Sequence, residues 1–201
     1  MQEDKIKTDP RVQRTRQLIL DAFHSLVPNK DLKDITVGDI TKRATINRAT
    51  FYAHYADKYE LMDDAFAHMF KGSLMQKLSC HAELNRETLT AIIVTLCDFH
   101  MSFSTQCQRS YESMSPYIES KVTEMLHGVF ELLLGQKERL DEETARTMSG
   151  MLSWSVYGIT KSWNKEGRKV TPERLAEQAI AGLLAAVREI DGSTIGAMNG
   201  K

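Results

Sequence analysis

Arg48 and Tyr52 lie four residues apart in the run Arg48-Ala49-Thr50-Phe51-Tyr52-Ala53-His54-Tyr55, and so do Phe51 and Tyr55. On a helix each pair shares a stripe, and the two stripes point in different directions. One stripe carries two aromatic rings suited to a core, with Ile46 nearby. The other carries a guanidinium and a phenol, with the Thr50 hydroxyl beside them and His54 and Lys58 at the C-terminal edge. Such groups can reach phosphates and base edges, and a helix of this length fits a DNA major groove. The plain alternative is a polar face that meets only water.

The flanking residues supply what would position that helix. Thr36 with Asp39 makes a capping box for a preceding short helix, whose Val37, Ile40 and Ala44 share one face. Thr45-Ile46 forms the turn, Asn47 caps the second helix, and Asp57 with Glu60 opens a third at Lys58. Two short helices around a tight turn, at about 36–55, read as a helix-turn-helix.

These residues resemble the DNA-binding domain of the TetR (TetR/AcrR-like) family of bacterial transcriptional regulators. The likeness rests on the Thr36 start, Asp39-Ile40, Lys42-Arg43-Ala44, the Thr50-Phe51-Tyr52-x-His54-Tyr55 run, and Lys58 followed by Leu61. Arg16, Ile19, Leu20, Ala22 and Phe23 match the family's first helix, so the likeness covers residues 11–73. It implies that Arg48, Ala49, Thr50 and Tyr52 meet bases and backbone, and that His54 and Lys58 meet phosphates. With Thr36, Thr45 and Asn47 these form the expected DNA-binding set. Two positions depart from the family pattern. Thr45 stands where the turn usually carries glycine, at some cost in strain. Gly38 stands where many relatives have a longer side chain near DNA.

Charge agrees with a small DNA-binding patch. Net formal charge is -1, yet Arg11 to Lys58 holds nine cations against five aspartates, a surplus of four. A mildly basic head on an acidic body fits site-specific binding. Three cysteines, Cys80, Cys97 and Cys107, and a charged first helix point to a reducing cytoplasm, with no export signal and no transmembrane run.

The remainder reads as helix. Asp9-Pro10 starts a first helix, with Val12, Thr15, Ile19, Phe23 and Leu26 on one face, which ends at Pro28-Asn29. The helix from Lys58 runs to about Gly72 or beyond and would link head to body. Asn85 caps a helix with Leu89, Ile92, Leu96, Phe99 and Phe103 on one face and Ile93, Cys97, His100 and Ser104 on the next. Ser115-Pro116 starts another, with Ile118, Val122, Met125, Val129 and Leu132 aligned. Asp141 with Thr144 opens a helix to about Gly167, and Thr171-Pro172 opens the last, ending near Asp191-Gly192. No β-type alternation of useful length occurs. The expectation is an all-α fold of about nine helices: a three-helix DNA-binding domain at 11–73 and a helical ligand-binding and dimerisation domain at 74–201.

Within that body, Phe99, His100, Phe103, Met125, Trp154 and Tyr157 are candidates to line a cavity for a small apolar ligand. The plain alternative for each is ordinary core, and His100 suits a satisfied core histidine better than a ligand contact. Cys97-x-x-His100 spans one turn, but with Cys80, His81 and Cys107 it fits no common zinc spacing, so no metal is expected. No P-loop, dinucleotide fingerprint or Gly-x-Ser-x-Gly is present, so neither cofactor nor enzyme activity is expected. The family resemblance implies a homodimer through helices 141–166 and 172–190, which would bring two recognition helices to a double-stranded DNA operator. The favoured reading is a repressor released by a small molecule; the alternative is a constitutive DNA-binding regulator without an inducer.

Overall fold

The computed structural model describes residues 9–78, 83–106, 114–135 and 140–196. Among them it is all-helical, with eight α-helices and one 3-10 turn. These are α1 (Pro10–Leu26), the turn Leu32–Asp34, α2 (Val37–Ala44), α3 (Arg48–Tyr52), α4 (Lys58–Leu78), α5 (Arg86–Gln106), α6 (Ser115–Leu134), α7 (Glu142–Lys165) and α8 (Pro172–Gly196). Among the described residues the chain divides into two compact units, the first running to Met69 and taking in Gln106, the second formed by Phe70–Thr105 and by 114–196.

Local signals set most boundaries. Asp9 accepts from the Arg11 N–H at 2.9 Å, and Pro10 occupies the first turn, where its missing donor costs nothing. Thr36 and Asp39 form both halves of the capping box. Asn47 accepts from the Thr50 N–H at 2.7 Å, Asn85 from that of Thr88 at 2.9 Å, and Asp141 from that of Thr144 at 2.9 Å. Asp57 caps α4 through the Tyr59 and Glu60 N–H groups. Glu60 departs from the expected box, because its carboxylate accepts from Ala56 rather than from Asp57. The last helix passes the expected stop at Asp191-Gly192 and continues to Gly196; one interior glycine costs a helix only about 1 kcal/mol.

In the first unit, Ile19, Leu20 and Phe23 of α1 are buried with Ile35, Ile40, Ala44, Phe51, Tyr55 and Leu61. Val12, expected on the same face of α1, is exposed, so the core begins only at Ile19. In the second unit both α5 stripes are buried, from Leu89 to Phe103 and from Ile93 to His100, which makes α5 a central helix. The core arc of α6 is Ile118, Val122, Leu126, Val129 and Leu133. It is rotated from the expected stripe, leaving Met125 half-buried and Leu132 exposed. Steps of four and three keep that arc on one face along the full length of α6.

The turn after α2 carries the strain expected of it. Thr45 has φ 57° and ψ 43°, the left-handed region that a β-branched residue rarely enters. Its side chain is exposed and fills no core space. Thr45→Asn should therefore stabilise the protein by roughly 0.5–1 kcal/mol, because asparagine tolerates this conformation. Urea unfolding should show a higher midpoint at unchanged m-value. A lower midpoint would mean that the threonine is favoured there by something other than its backbone.

Candidate nucleic-acid interface

The expected recognition helix is shorter than its pattern. It ends at Tyr52, and His54 and Tyr55 fold back so that both N–H groups donate to the Phe51 carbonyl, at 2.9 and 3.0 Å. The stripes nevertheless separate as expected. Phe51 is fully buried, whereas Tyr52 is 55% exposed and Arg48 is exposed. Ala49 is exposed and Thr50 half-buried, the Thr50 hydroxyl donating to Asn47 at 2.9 Å.

Tyr55 explains why the helix stops. Its hydroxyl donates to the Asp64 carboxylate at 2.5 Å, and Arg16 donates to both that hydroxyl and the same carboxylate. This draws α1, the end of α3 and α4 onto one carboxylate. Burial pushes the Asp64 carboxyl up, but hydrogen bonds from Arg16 and Tyr55 outweigh it and leave the acid below its ordinary range. Burial and the neighbouring carboxylate both raise the Tyr55 phenol, so it stays a neutral donor. Sequence spacing alone could not reveal this network, because its partners lie 9 to 48 residues apart.

Asp39 is also committed. Lys30 donates to it at 2.7 Å, as do the Thr36 hydroxyl at 2.7 Å and the Thr36 N–H at 2.8 Å. The lysine first, then the threonine, holds this carboxyl well below the usual range. Thr36 is thereby fixed as a cap, and its exposed side chain lies at the edge of the α2–α3 surface.

Lys58, expected on a phosphate, is engaged within the fold. Its ammonium donates to the carbonyls of Leu32, Lys33 and Ile35 at 3.2, 2.8 and 2.9 Å. Three donors meet three acceptors, so the lysine ties the 3-10 turn to the start of α4. Lys58→Met keeps the aliphatic stem and removes the ammonium. It should lower stability by about 1–3 kcal/mol, since the carbonyls lose a charged donor. It should leave the slope of log K against log salt unchanged on any DNA the chain binds. A slope smaller by about one unit would place the ammonium on a phosphate instead.

In the second unit the expected ligand-lining residues do not form one set. His100 is buried, with its ring 5.7 Å from Phe99 and 5.6 Å from Tyr157, and Phe99 stacks on Phe103 at 5.6 Å. Trp154 does not join them. It is 56% exposed, because the buried arc of α7 closes with Ser153, Val156 and Tyr157, and Trp154 falls just outside it. Trp154 instead edges an open groove of about 570 Å³ between α6 and α7, floored by Gly128 and Gly150 and flanked by Glu124, His127 and Glu131. Met125 stays half-buried on α6. Cys97 is buried, which pushes its thiol up to about 12. Cys80, His81 and Cys107 lie outside the described residues.

Burial, then the nearby charges of Lys161 and Arg168, lower His100 from 6.5 to about 4. The unfolded chain therefore takes up a proton near pH 6.5 that the folded chain refuses until about pH 4. This contribution to stability is intact above pH 6.5 and is lost as pH falls toward 4, by up to roughly 1.4 kcal/mol per pH unit. The stability difference between wild type and His100→Asn should shrink steadily from pH 7 to pH 4.5. A difference independent of pH would show that the histidine titrates alike in the folded and unfolded chains.

Comparison with known proteins agrees with both units. A family model described as "Bacterial regulatory proteins, tetR family" matches residues 19–65, and one described as "Transcriptional regulator C-terminal region" matches residues 87–182. The uncharacterized HTH-type transcriptional regulator YxbF of Bacillus subtilis (strain 168) is 46% identical over 61 residues, which are 30% of this chain and only 16% of that protein. The HTH-type transcriptional regulator AcrR of Shigella flexneri is 24% identical over 182 residues, covering 78% of this chain and 81% of AcrR. A solved TetR-family regulator from Streptomyces coelicolor A3 superimposes with a TM-score of 0.66 at 16% identity, covering 90% of this chain and 98% of that one, a likeness of fold.

Proposed function

Because the chain belongs to the TetR family of transcriptional regulators, we propose that it is a cytoplasmic homodimeric repressor, released from a near-palindromic operator by a small apolar molecule. The observation that carries the DNA-binding part is the division of α3: Phe51 is fully buried while Arg48 and Tyr52 stand exposed on the adjoining stripe. Residues 11–73 form the DNA-binding domain in this reading. Arg48, Ala49, Thr50 and Tyr52 meet bases and backbone, His54 and the caps Thr36 and Asn47 lie at the phosphate edge, and Thr45 shapes the turn. Lys58 acts as an internal strut. Residues 74–201 hold the ligand, with Phe99, His100, Phe103 and Tyr157 as its walls. Among the described residues no helix is long and apolar enough to cross a membrane, which accords with a cytoplasmic regulator.

The dimer is proposed through α7 and α8. On α7, Met151 is 48% exposed beside Trp154, a large apolar area for a helix surface. On α8, Ala176, Ile180 and Val187 are buried, while the neighbouring stripe of Leu175, Ala179, Gly182, Leu183 and Ala186 is only half-covered or open. Small residues there permit close approach of a second helix. A dimer would present two α3 helices to two half-sites, roughly 34 to 36 Å apart on the duplex. Release by a ligand requires that the ligand prefer another arrangement of the two heads, with a coupling of about 1–3 kcal/mol.

The test is selection of binding sites from a random duplex library, followed by titration of the selected duplex. An inverted repeat should emerge, and affinity should fall steeply with salt. Tyr52→Phe should weaken binding while leaving the unfolding midpoint nearly unchanged. Ala186→Glu should sediment as a folded monomer at micromolar concentration and bind one half-site poorly. Wild-type protein that sediments as a monomer would remove the dimer, and a library from which nothing is enriched would remove specific DNA binding.

A further inference from the structure

Gly38 and Arg48 belong to different helices yet share one place. A methyl group built on Gly38 would lie 3.1 Å from the Arg48 Nη2 atom and 3.5 Å from the Thr36 hydroxyl oxygen. The guanidinium therefore rests over bare backbone in the first turn of α2, where any other residue would place a side chain. The nearest acid on that helix does not claim it, because Asp39 is held by Lys30 and Thr36. Among the described residues no carboxylate or carbonyl forms an ion pair or hydrogen bond with Arg48, and its side chain is exposed. The result is a planar fork of five donors, uncommitted within the fold. It stands beside Tyr52 on the stripe assigned to DNA.

We infer that Arg48 reads a guanine in each operator half-site by donating to its O6 and N7 atoms, and that Gly38 is a specificity-determining position because its missing side chain sets where that fork can lie. The inference rests on the DNA-binding reading above. Guanine is the one base that offers two acceptors side by side in the major groove, and the guanidinium fork matches them. A phosphate would also accept from Arg48, but it would confer no preference for sequence. Position 38 acts on Arg48 alone: the atom that a new methyl group would meet is the far end of a flexible side chain, so the fold yields cheaply while the arginine is displaced. Even a methyl group in this place would press the guanidinium out of its position, and a longer side chain would do so further. The bare backbone at position 38 and the arginine at position 48 are thus two parts of one device.

The test uses the full-length chain and the duplex selected from the random library. Wild type should fix a guanine at one position of each half-site. Replacing that base by 7-deazaguanine removes the N7 acceptor and keeps base pairing. It should weaken wild type on the order of tenfold and leave Arg48→Ala unaffected. Arg48→Ala should accept all four bases at that position about equally and keep its preferences elsewhere. Gly38→Ala should unfold within a few degrees of wild type and lower discrimination at the same position, and only there. In a double-mutant cycle the two substitutions should then fall well short of additive. The inference is overturned if Arg48→Ala keeps the guanine preference, if 7-deazaguanine is bound as tightly as guanine, or if Gly38→Ala changes a different position. Arg48→Ala weakening all sequences equally would likewise overturn it by placing the guanidinium on a phosphate. If wild type enriches no sequence at all, the DNA-binding reading fails first and takes the inference with it.

Discussion

Five residues make little more than one helical turn, and a helix that short has no stability of its own in water. Everything proposed for the N-terminal unit depends on holding α3 in place despite this. Phe51 supplies the anchor, buried completely on the stripe adjoining that of Tyr52. Asn47 satisfies the first turn, and Tyr55 closes the other end by reaching the Asp64 carboxylate that Arg16 also holds. The Tyr55 tie reaches both α1, through Arg16, and α4, through Asp64, so α3 cannot rotate without breaking contacts to them. Lys58 does the same for the segment ahead of α2, by gathering three carbonyls that would otherwise end in a loop. The polar groups of this unit fall into two classes: those spent on rigidity and those left over. Arg48 and Tyr52 belong to the second.

That partition also shows what a sequence can and cannot reveal. Caps are local, and Asp9, Thr36, Asn47, Asp57, Asn85 and Asp141 all lie where their spacing to the first N–H groups places them. The opposed stripes of α3 follow from helical periodicity alone. Lys58 is ambiguous in sequence for a physical reason: a lysine near a DNA-binding helix looks identical whether its ammonium faces a phosphate or a carbonyl 23 to 26 residues away. The Arg16–Asp64–Tyr55 network escaped for the same reason. Glu60 shows a finer limit, since a carboxylate at the right spacing for a capping box found a donor one residue earlier, at Ala56.

In the second unit hydroxyls shape the core arc of α7. The Ser149, Ser153 and Thr160 side chains are buried, and each donates to the carbonyl four residues back, at 2.8, 2.6 and 2.9 Å. A serine or threonine satisfied by its own helix costs little to bury and takes up little space. These residues therefore occupy the core arc of α7, although a hydropathy pattern assigns them to water. Trp154 and Met151 look like core in sequence and are displaced outward. Beside this arc Gly128 and Gly150 line the open groove between α6 and α7.

The consequence reaches beyond the core of one chain. The buried arc of α7 mixes Ser149, Ser153 and Thr160 with Met148, Leu152, Val156, Tyr157 and Trp163, and it leaves Met151 and Trp154 uncovered. Tryptophan and methionine gain more from burial than serine does, so a chain that buries the serines and exposes Trp154 forgoes stabilisation that a simple rotation of α7 would recover. Rotation is blocked by Tyr157 and Trp163, which are buried on the same arc, Trp163 donating through its indole N–H to the Val170 carbonyl at 2.8 Å. The exposed pair is thus an imposed feature of the fold. It is stabilising only if something else covers it, which is why the proposed second copy and the half-open stripe of α8 belong to one physical argument.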